Sequence, residues 1–317
     1  MPDYSKRMKE FVWYHIHGDG DCNGQVLREY ARMNGLSDQE KFDLTYFYSV
    51  TYCCASAVFL LSHRDLIRNQ QFLFADQYKH RILFQSDRKY VRMLDNFYRV
   101  LSTWVNLLDN NAQDFYDRFV NGNTIDTKSA LFECERWYFF SRFSAYLFVE
   151  TYCDIFGLEG SLAYDMAYEG DSMTFASGLF YVYGMDEEAR YIQKHHELPV
   201  DNYVFESLIA ELQEEVRKND GDDNFTKLET SLCAYDKMFK GTRYNGYYAD
   251  RQLEEVVKMR KEQEFREACD AILKARKMAI PKQYRGEDNG WYGIRKEEKK
   301  SYRQNGRISY CPYPTGR

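Results

Sequence analysis

The stretch that decides the fold runs from Ser129 to Phe156 and reads SALFECERWYFFSRFSAYLFVETYCDIF. Apolar and aromatic side chains would cover almost every face of a helix formed by these residues, and Gly157 follows where a helix commonly ends. A helix that is apolar all round normally lies at the centre of a protein. The stretch therefore predicts a long, buried helical segment.

Proline usage extends this prediction to the rest of the chain. The 317 residues contain five prolines, and none stands between Pro2 and Pro199. Proline breaks helices, and loop-rich β proteins use proline and glycine in their turns, so we predict an all-α, multi-helical globular body. A hydrophobic fraction of 44% supplies a large core and excludes wholesale disorder.

Local signals place individual helices. Ser37 and Glu40 form a capping-box pattern that opens a helical run reaching Leu61, and Gly35 is suited to a left-handed helix end. Apolar residues at helical spacing predict further helices over residues 87–108, 111–120, 161–168, 172–183, 187–195, 202–218, 225–240 and 250–279.

Composition divides the chain into three parts. We predict a helical body over residues 1–198, a more polar helical extension over 199–280 that could share the same core, and an irregular, basic and aromatic tail over 281–317. Residues 251–317 carry 17 Lys and Arg against 10 Asp and Glu, although the whole chain has a net charge of −6. A basic end on an acidic body suits local contact with a polyanion.

The tail is the predicted DNA-binding part, because basic residues meet phosphates and aromatic rings stack on bases. A solubilising tail is the alternative. The residues assigned to DNA contact are Lys282, Arg285, Trp291, Arg295, Lys299, Lys300 and Arg303.

The cellular location is predicted from cysteine usage and from hydropathy. The eight cysteines form no C-x-x-C pair, which is typical of reduced thiols in a cytoplasmic protein. The sequence contains no uncharged apolar run of membrane-spanning length, and its polar N-terminus is unlike a signal peptide.

A polar loop and two histidines stand near the N-terminus. Residues 19–24 match the first half of a calcium-binding loop, but Tyr30 stands where the final glutamate ligand is needed, so a turn that caps the next helix is favoured and no metal is expected. His15 is a candidate for proton transfer and His17 for phosphate contact. Residues two positions apart do not share a helix face, so the alternative is that one histidine is packed and the other is turned to solvent.

Three carboxylates lie inside apolar segments: Asp43, Glu150 and Asp165. A buried carboxylate needs a partner, because the loss of its hydration is unfavourable. The structural interpretation pairs them with arginines such as Arg136 or Arg142. The functional interpretation makes them general bases, because burial raises the pKa of a carboxyl group towards neutrality.

A run of small and hydroxyl residues from Gly170 to Gly178 is the last candidate. Asp171, Ser172, Thr174 and Ser177 could contact phosphate at a helix N-terminus, and close packing of helices is the alternative. The sequence contains neither a phosphate-binding P-loop nor a dinucleotide-binding glycine motif. We therefore expect no cofactor.

Five segments together resemble a known family, the phage amino acid:DNA transferases, relatives of the alpha-glutamyl/putrescinyl-thymine pyrophosphorylases. The segments are FVWYHIH at 11–17, FDLTYFYS at 42–49, FQSDRKYV at 84–91, FVE at 148–150 and YEGDSMTFASGL at 168–179. They span residues 10–190 and leave the tail outside. The segment at 11–17 departs from the Glu-Arg-His pattern of the pyrophosphorylase relatives, so the resemblance assigns no role to its histidines.

The resemblance implies an all-helical fold distantly related to the helix-hairpin-helix DNA glycosylases. It also implies an enzyme of phage-infected cells, working in the host cytoplasm on double-stranded DNA that carries a pyrophosphorylated 5-hydroxymethyluracil. A free amino acid such as glycine displaces the pyrophosphate. In such a reaction Arg88 is expected to contact carboxylate or phosphate, and Tyr46 to line the site that receives the base. Two alternatives remain open: a non-enzymatic DNA-binding or scaffold protein, and a glycosylase-like hydrolase.

Overall fold

The computed structural model describes residues 4–17, 22–160, 173–244, 246–280 and 291–307. Helices make up 76% of the structure, and the described residues contain sixteen α-helices and one small sheet, which confirms the all-α prediction. In chain order the α-helices are α1 Tyr4–His17, α2 Asn23–Asn34, α3 Asp38–Thr51, α4 Cys54–Ser62, α5 Arg64–Tyr78, α6 Leu94–Thr103, α7 Ala112–Phe119, α8 Thr127–Glu135, α9 Arg142–Phe156, α10 Thr174–Val182, α11 Asp186–His195, α12 Asn202–Lys218, α13 Phe225–Phe239, α14 Tyr247–Met259, α15 Arg266–Ala279 and α16 Trp291–Asn305.

Short elements complete the secondary structure. Residues Ser86–Arg92 and Gln263–Phe265 form 3₁₀ helices, and Trp104–Leu108 continue α6 as a π-helix. The sheet has three two-residue strands, β1 Val120–Asn121, β2 Thr124–Ile125 and β3 Glu159–Gly160. β1 pairs antiparallel with β2, with Val120 opposite Ile125, and β3 pairs parallel with β2.

The chain forms two compact units. The first unit comprises residues 1–21, 162–249 and 281–317, and the second comprises residues 22–161 and 250–280. This division differs from the three parts drawn from composition, because the stretch 1–198 contributes to both units. Composition changes along the chain, whereas a unit is defined by contacts between distant segments.

The caps predicted around α2 and α3 are confirmed. Gly35 ends α2 in the left-handed region with a φ of 59°, and its N–H bonds back to the last turn of that helix. Ser37 accepts a hydrogen bond from the Glu40 backbone N–H, and the Glu40 carboxylate accepts one from the Ser37 N–H. Side-chain caps of this kind satisfy backbone groups that have no partner inside the helix.

The run predicted from Ser37 to Leu61 is not one helix. Tyr52 has a left-handed φ of 53° and ends α3, and α4 begins at Cys54. Gln252 lies 200 positions further along the chain, on α14. Its side chain donates to the Tyr52 carbonyl over 2.6 Å and accepts from the Cys54 N–H over 3.5 Å. This distant side chain satisfies backbone groups freed by the break.

The stretch Ser129–Phe156 is also broken. α8 ends at Glu135, α9 begins at Arg142, and Phe139 between them has a left-handed φ of 67°. The prediction of one long helix was therefore wrong, whereas the prediction of central burial holds for α9, most of whose residues are buried. Its rings pack into an aromatic cluster with α3 and α7, formed by Phe42, Phe115, Trp137, Phe148 and Tyr152.

The first unit packs α1, α10, α12 and α13 around one core that includes Phe11, Phe175, Phe205 and Tyr235. α10 and α13 approach closely at Gly178, where a Cβ atom would overlap the backbone carbonyl of Leu232. This close approach is the packing alternative raised for the 170–178 run.

The tail was predicted to be irregular, and this was wrong for the part that the structure describes. Residues 291–305 form α16, and Tyr302 packs against the core of the first unit. The Tyr302 ring lies 5.8 Å from the Tyr244 ring and 5.3 Å from the Tyr247 ring, and its hydroxyl accepts a hydrogen bond from Arg243. One aromatic residue among charged neighbours is too weak a pattern to predict this contact from sequence.

Among the described residues, no helix combines the length and the apolar character that crossing a membrane requires. The seven cysteines of the described residues form no disulfide, and six of them are buried.

Candidate functional site

The residues assigned from sequence fall into two groups, one in each unit. Asp43, Tyr46, Arg88 and Glu150 belong to the second unit, whereas His15, Thr174, Ser177 and the tail residues belong to the first. Several assignments lie outside the described residues: Asp165, Asp171, Ser172, Lys282 and Arg285, together with the side chains of His17, Trp291 and Arg295.

The second unit brings three of the five family-like segments together. Arg88, from the segment 84–91, is 7% exposed, and its Nε donates to the Ser49 carbonyl in the segment 42–49 over 3.2 Å. Its guanidinium carbon lies 4.9 Å from the centre of the Phe143 ring on α9, the helix that carries the segment 148–150. A buried guanidinium above a ring is a preorganised binder of carboxylate or phosphate.

Glu150 lies on the same face of α9 as Phe143. The two residues are seven positions apart, which is about two turns and about 10 Å along the helix axis. Glu150 is 7% exposed. The face of α9 that carries Phe143 therefore also carries a nearly buried carboxylate, two turns along the helix from Phe143.

Asp43 is a partnered structural acid. It is fully buried on α3, and it accepts hydrogen bonds from Gln39 over 2.7 Å, from the Trp104 indole over 2.9 Å and from Arg64 over 3.1 Å. Burial raises the pKa of Asp43, and these hydrogen bonds oppose the rise. Three donors occupy both carboxylate oxygens, which leaves little room for a substrate.

Tyr46 occupies a core position. It is fully buried, its hydroxyl donates to the Val100 carbonyl over 2.9 Å, and its ring stacks on Phe140 at 5.4 Å. Burial raises the pKa of its phenol far above the ordinary value. These contacts are those of a packing residue.

In the first unit His15 pairs with a serine that the sequence did not single out. His15 Nδ1 lies 2.8 Å from Ser231 Oγ, and His15 Nε2 lies 2.6 Å from the Asp222 carbonyl oxygen. A carbonyl only accepts, so Nε2 carries the proton and neutral Nδ1 accepts from the serine hydroxyl. Burial lowers the pKa of His15 and keeps it neutral.

The His15–Ser231 pair has the hydrogen bond that activates a serine nucleophile. Ser231 is buried within α13, which restricts the approach of a substrate. Sequence reasoning had no signal for this serine, because 216 positions separate it from His15.

Ser177 belongs to a buried network with Asp236 on α13. Its hydroxyl donates to the Asp236 carboxylate over 2.6 Å and accepts from Gln193 over 2.9 Å, and Lys240 donates to the second Asp236 oxygen over 2.7 Å. Burial raises the pKa of Asp236, and the bonds from Lys240 and Ser177 oppose it. The hydroxyl predicted to meet phosphate is engaged inside the protein. Thr174 is half-buried in the first turn of α10.

Three of the tail residues assigned to DNA contact have described side chains. Lys300 and Arg303 are exposed on α16, and Lys299 is half-buried. Over the described ranges, which omit Asp19 and Asp21, no three His, Cys, Asp or Glu side chains come together as a metal site would require.

The resemblance to the transferases rests on the five sequence segments alone. No protein-family model matches the chain, and no curated protein matches it.

Proposed function

We propose that the protein is a DNA-modifying transferase of the phage hypermodification type. Its substrates are a pyrophosphorylated 5-hydroxymethyluracil in double-stranded DNA and a free amino acid such as glycine. The amine nitrogen attacks the methylene carbon, the bond from that carbon to the pyrophosphate oxygen breaks, and pyrophosphate leaves with the electron pair. The amine loses a proton to a base, and the product is an amino acid joined to the base through nitrogen.

The observation that carries this proposal is the arrangement of Arg88, Phe143 and Glu150. An amino acid has its carboxylate carbon and its amine nitrogen about 2.5 Å apart, and a hydrogen bond at each end adds about 3 Å. A cation and a carboxylate that hold its two ends therefore stand on the order of 8–10 Å apart. Phe143, the ring over which the Arg88 guanidinium lies, and Glu150 are separated by about 10 Å along α9, which is of this size.

The chemistry assigns a role to each side chain. The Arg88 guanidinium would hold the carboxylate of the donor or an oxygen of the leaving pyrophosphate, since it presents several fixed donors to an anion. Glu150 would accept the proton that the amine must lose before it attacks. The leaving group is already activated on the DNA, so the chain needs no nucleotide-binding motif of its own.

The test is transfer of labelled glycine to DNA that carries the pyrophosphorylated base. Glu150→Gln keeps the shape of the side chain and removes the proton acceptor, so we expect the rate to fall about 10²- to 10⁴-fold with DNA affinity unchanged. Glu135→Gln, which changes an exposed carboxylate of the same unit, is the matched control and should retain the wild-type rate.

Arg88 is tested through its affinity for the donor. Arg88→Lys keeps the charge and loses the planar fork of donors, so we expect it to raise the KM for glycine more than it lowers kcat. Circular dichroism of each variant establishes that it is folded.

The products distinguish the remaining functions. Pyrophosphate release with label entering DNA supports the transferase. Release of free base supports a glycosylase-like hydrolase, and DNA binding without either product supports a scaffold protein. A wild-type transfer rate in folded Glu150→Gln would reclassify Glu150 as a structural acid.

A further inference from the structure

A second surface of the molecule has the chemistry of a nucleic-acid interface. It lies on the second unit, where the 3₁₀ helix Ser86–Arg92 and α6 meet the turn between α8 and α9. We define this cation–aromatic face by four exposed side chains, Lys89, Tyr90, Met93 and Arg99, with Tyr138 and Phe139 beside them.

Direct contacts make the face continuous. Asn96 at its centre donates to the Tyr90 carbonyl over 3.2 Å and accepts from the Tyr138 hydroxyl over 3.2 Å. The Tyr138 ring lies 5.6 Å from the Phe139 ring. Residues more than 40 positions apart in sequence are therefore held as one surface.

The cations of this face lie on rings instead of pairing with acids. Lys89 Nζ is 5.1 Å from the centre of the Tyr90 ring, and the Arg99 guanidinium carbon is 5.6 Å from the centre of the Tyr138 ring. Neither Lys89 nor Arg99 forms an ion pair with any residue that the structure describes. By contrast, many arginines of the second unit do pair with carboxylates, among them Arg32, Arg64, Arg68, Arg81, Arg118 and Arg260.

Apolar exposure accompanies the positive charge. Tyr90 is 59% exposed, Met93 60% and Phe139 38%, values that are high for large apolar side chains in a chain with so large a core. From Lys89 to Arg99 there are three cations and one carboxylate, Asp95, although the chain as a whole is acidic. Positive charge interleaved with exposed rings matches a polyanion that also has flat bases to stack.

We infer that the cation–aromatic face binds a DNA strand, with Lys89 and Arg99 on phosphates and Tyr90 against an unstacked base. The inference rests on the proposed function only in locating the DNA that the reaction needs. Arg88 directly precedes Lys89 on the same 3₁₀ helix, so the face begins next to the Arg88 site. DNA on the face would therefore be held beside the proposed chemistry, and the assigned tail residues would be a separate contact.

The experiment measures binding of unmodified DNA, so its outcome is independent of whether the transfer reaction exists. A labelled single strand and the duplex of the same sequence are titrated with protein at several salt concentrations, and fluorescence anisotropy gives the affinity. The slope of log affinity against log salt concentration is negative. Lys89→Ala with Arg99→Ala should reduce its magnitude by about 1.4 for the single strand and about 1.8 for the duplex.

Tyr90→Ala tests stacking separately from charge. We expect it to weaken single-strand binding about 5- to 150-fold with no change in salt slope, since one base loses its aromatic platform. Tyr203→Ala changes a tyrosine of the first unit that is even more exposed than Tyr90, and it should bind as wild type.

The matched charge control is Lys258→Ala with Lys261→Ala, which removes two exposed cations of the same unit. The inference is overturned when the Lys89/Arg99 variant keeps the wild-type affinity and slope, or changes them no more than this control. Loss of binding with retained glycine transfer at saturating DNA would support the face and the proposed function together. Loss of binding in a protein that never transfers glycine would support the face alone.

Discussion

At the scale of single residues, His15 connects a hydrogen-bonded pair to a measurable pH dependence. Its pKa is lowered by burial, with Lys227 contributing in the same direction and Asp222 and Asp223 opposing. Below about pH 6.5, the ordinary pKa of histidine, this side chain binds a proton in the unfolded chain but stays neutral to lower pH in the folded protein. The unfolded state then binds more protons, so His15 makes the protein less stable as the pH falls below that value.

We predict that His15→Gln, which can still bond both Ser231 and the Asp222 carbonyl, reduces this acid sensitivity. Between pH 7.5 and pH 5.5 the free energy of unfolding of the wild type should fall relative to the variant, by at most about 1.4 kcal/mol per pH unit. Urea unfolding at each pH measures the difference. Parallel curves for the two proteins would show that His15 titrates normally in the folded state.

The carboxylates show how far sequence alone reaches at this scale. Placement in an apolar segment marked Asp43 and Glu150 as buried acids, and both are buried. The same reasoning could not distinguish them, because Asp43 takes its partners from positions 39, 64 and 104. Only the folded chain shows that both Asp43 oxygens are occupied, which makes Asp43 a structural acid.

At the scale of elements, capping was predictable and breaks were not. Ser37, Glu40 and Gly35 act on their own neighbours, so the sequence contains the whole signal. The end of α3 at Tyr52 depends on Gln252, 200 positions away, and the turn at Phe139 interrupts a stretch that is apolar on both sides. Helical spacing continues across such breaks, so periodicity predicts one helix where tertiary contacts make two.

The pairing of α10 with α13 yields a prediction at this scale. An alanine in the middle of a helix is ordinarily better than glycine by about 0.5–1 kcal/mol. At Gly178 we expect the reverse, because the new Cβ would overlap the backbone of Leu232 and force the two helices apart. Overpacking of this kind typically lowers the free energy of unfolding by about 1–3 kcal/mol.

The control is Gly24→Ala in α2. There the new Cβ would meet the side chain of Asp154, which can move more readily than a backbone carbonyl. Chemical denaturation should therefore show a larger loss for Gly178→Ala than for Gly24→Ala. An unchanged or raised stability in Gly178→Ala would mean that α10 and α13 are not held at this distance.

At the scale of the whole molecule, fold class followed from the sequence and the division into units did not. The scarcity of proline argues against a loop-rich β protein, and this inference needs no knowledge of which segments contact each other. The first unit, however, joins residues 1–21 to residues 162–249, and no change in composition marks that association. Contacts between distant segments are specified by packing, which periodicity does not encode.

The structure also changes how the tail must be tested. Truncation after Ile280 would remove α16 and with it Tyr302, which packs against the core of the first unit. Weaker DNA binding by the truncated chain would then have two explanations, lost contacts and a damaged fold. Lys300→Ala with Arg303→Ala removes two exposed cations of α16 and retains Tyr302.

We predict that this α16 variant reduces the magnitude of the slope of log affinity against log salt for the duplex by about 1.8, since each phosphate contact contributes about 0.9. If α16 and the cation–aromatic face contact the same duplex, combining both pairs of substitutions should reduce the magnitude of this slope by about 3.6. Anisotropy titrations of the wild type, both double variants and the combined variant measure these values. Each neutralised phosphate releases its counterions once, so the contributions of separate contacts add. If the combined variant has the same slope as the Lys89/Arg99 variant, α16 makes no contact with the DNA and the second unit alone binds it.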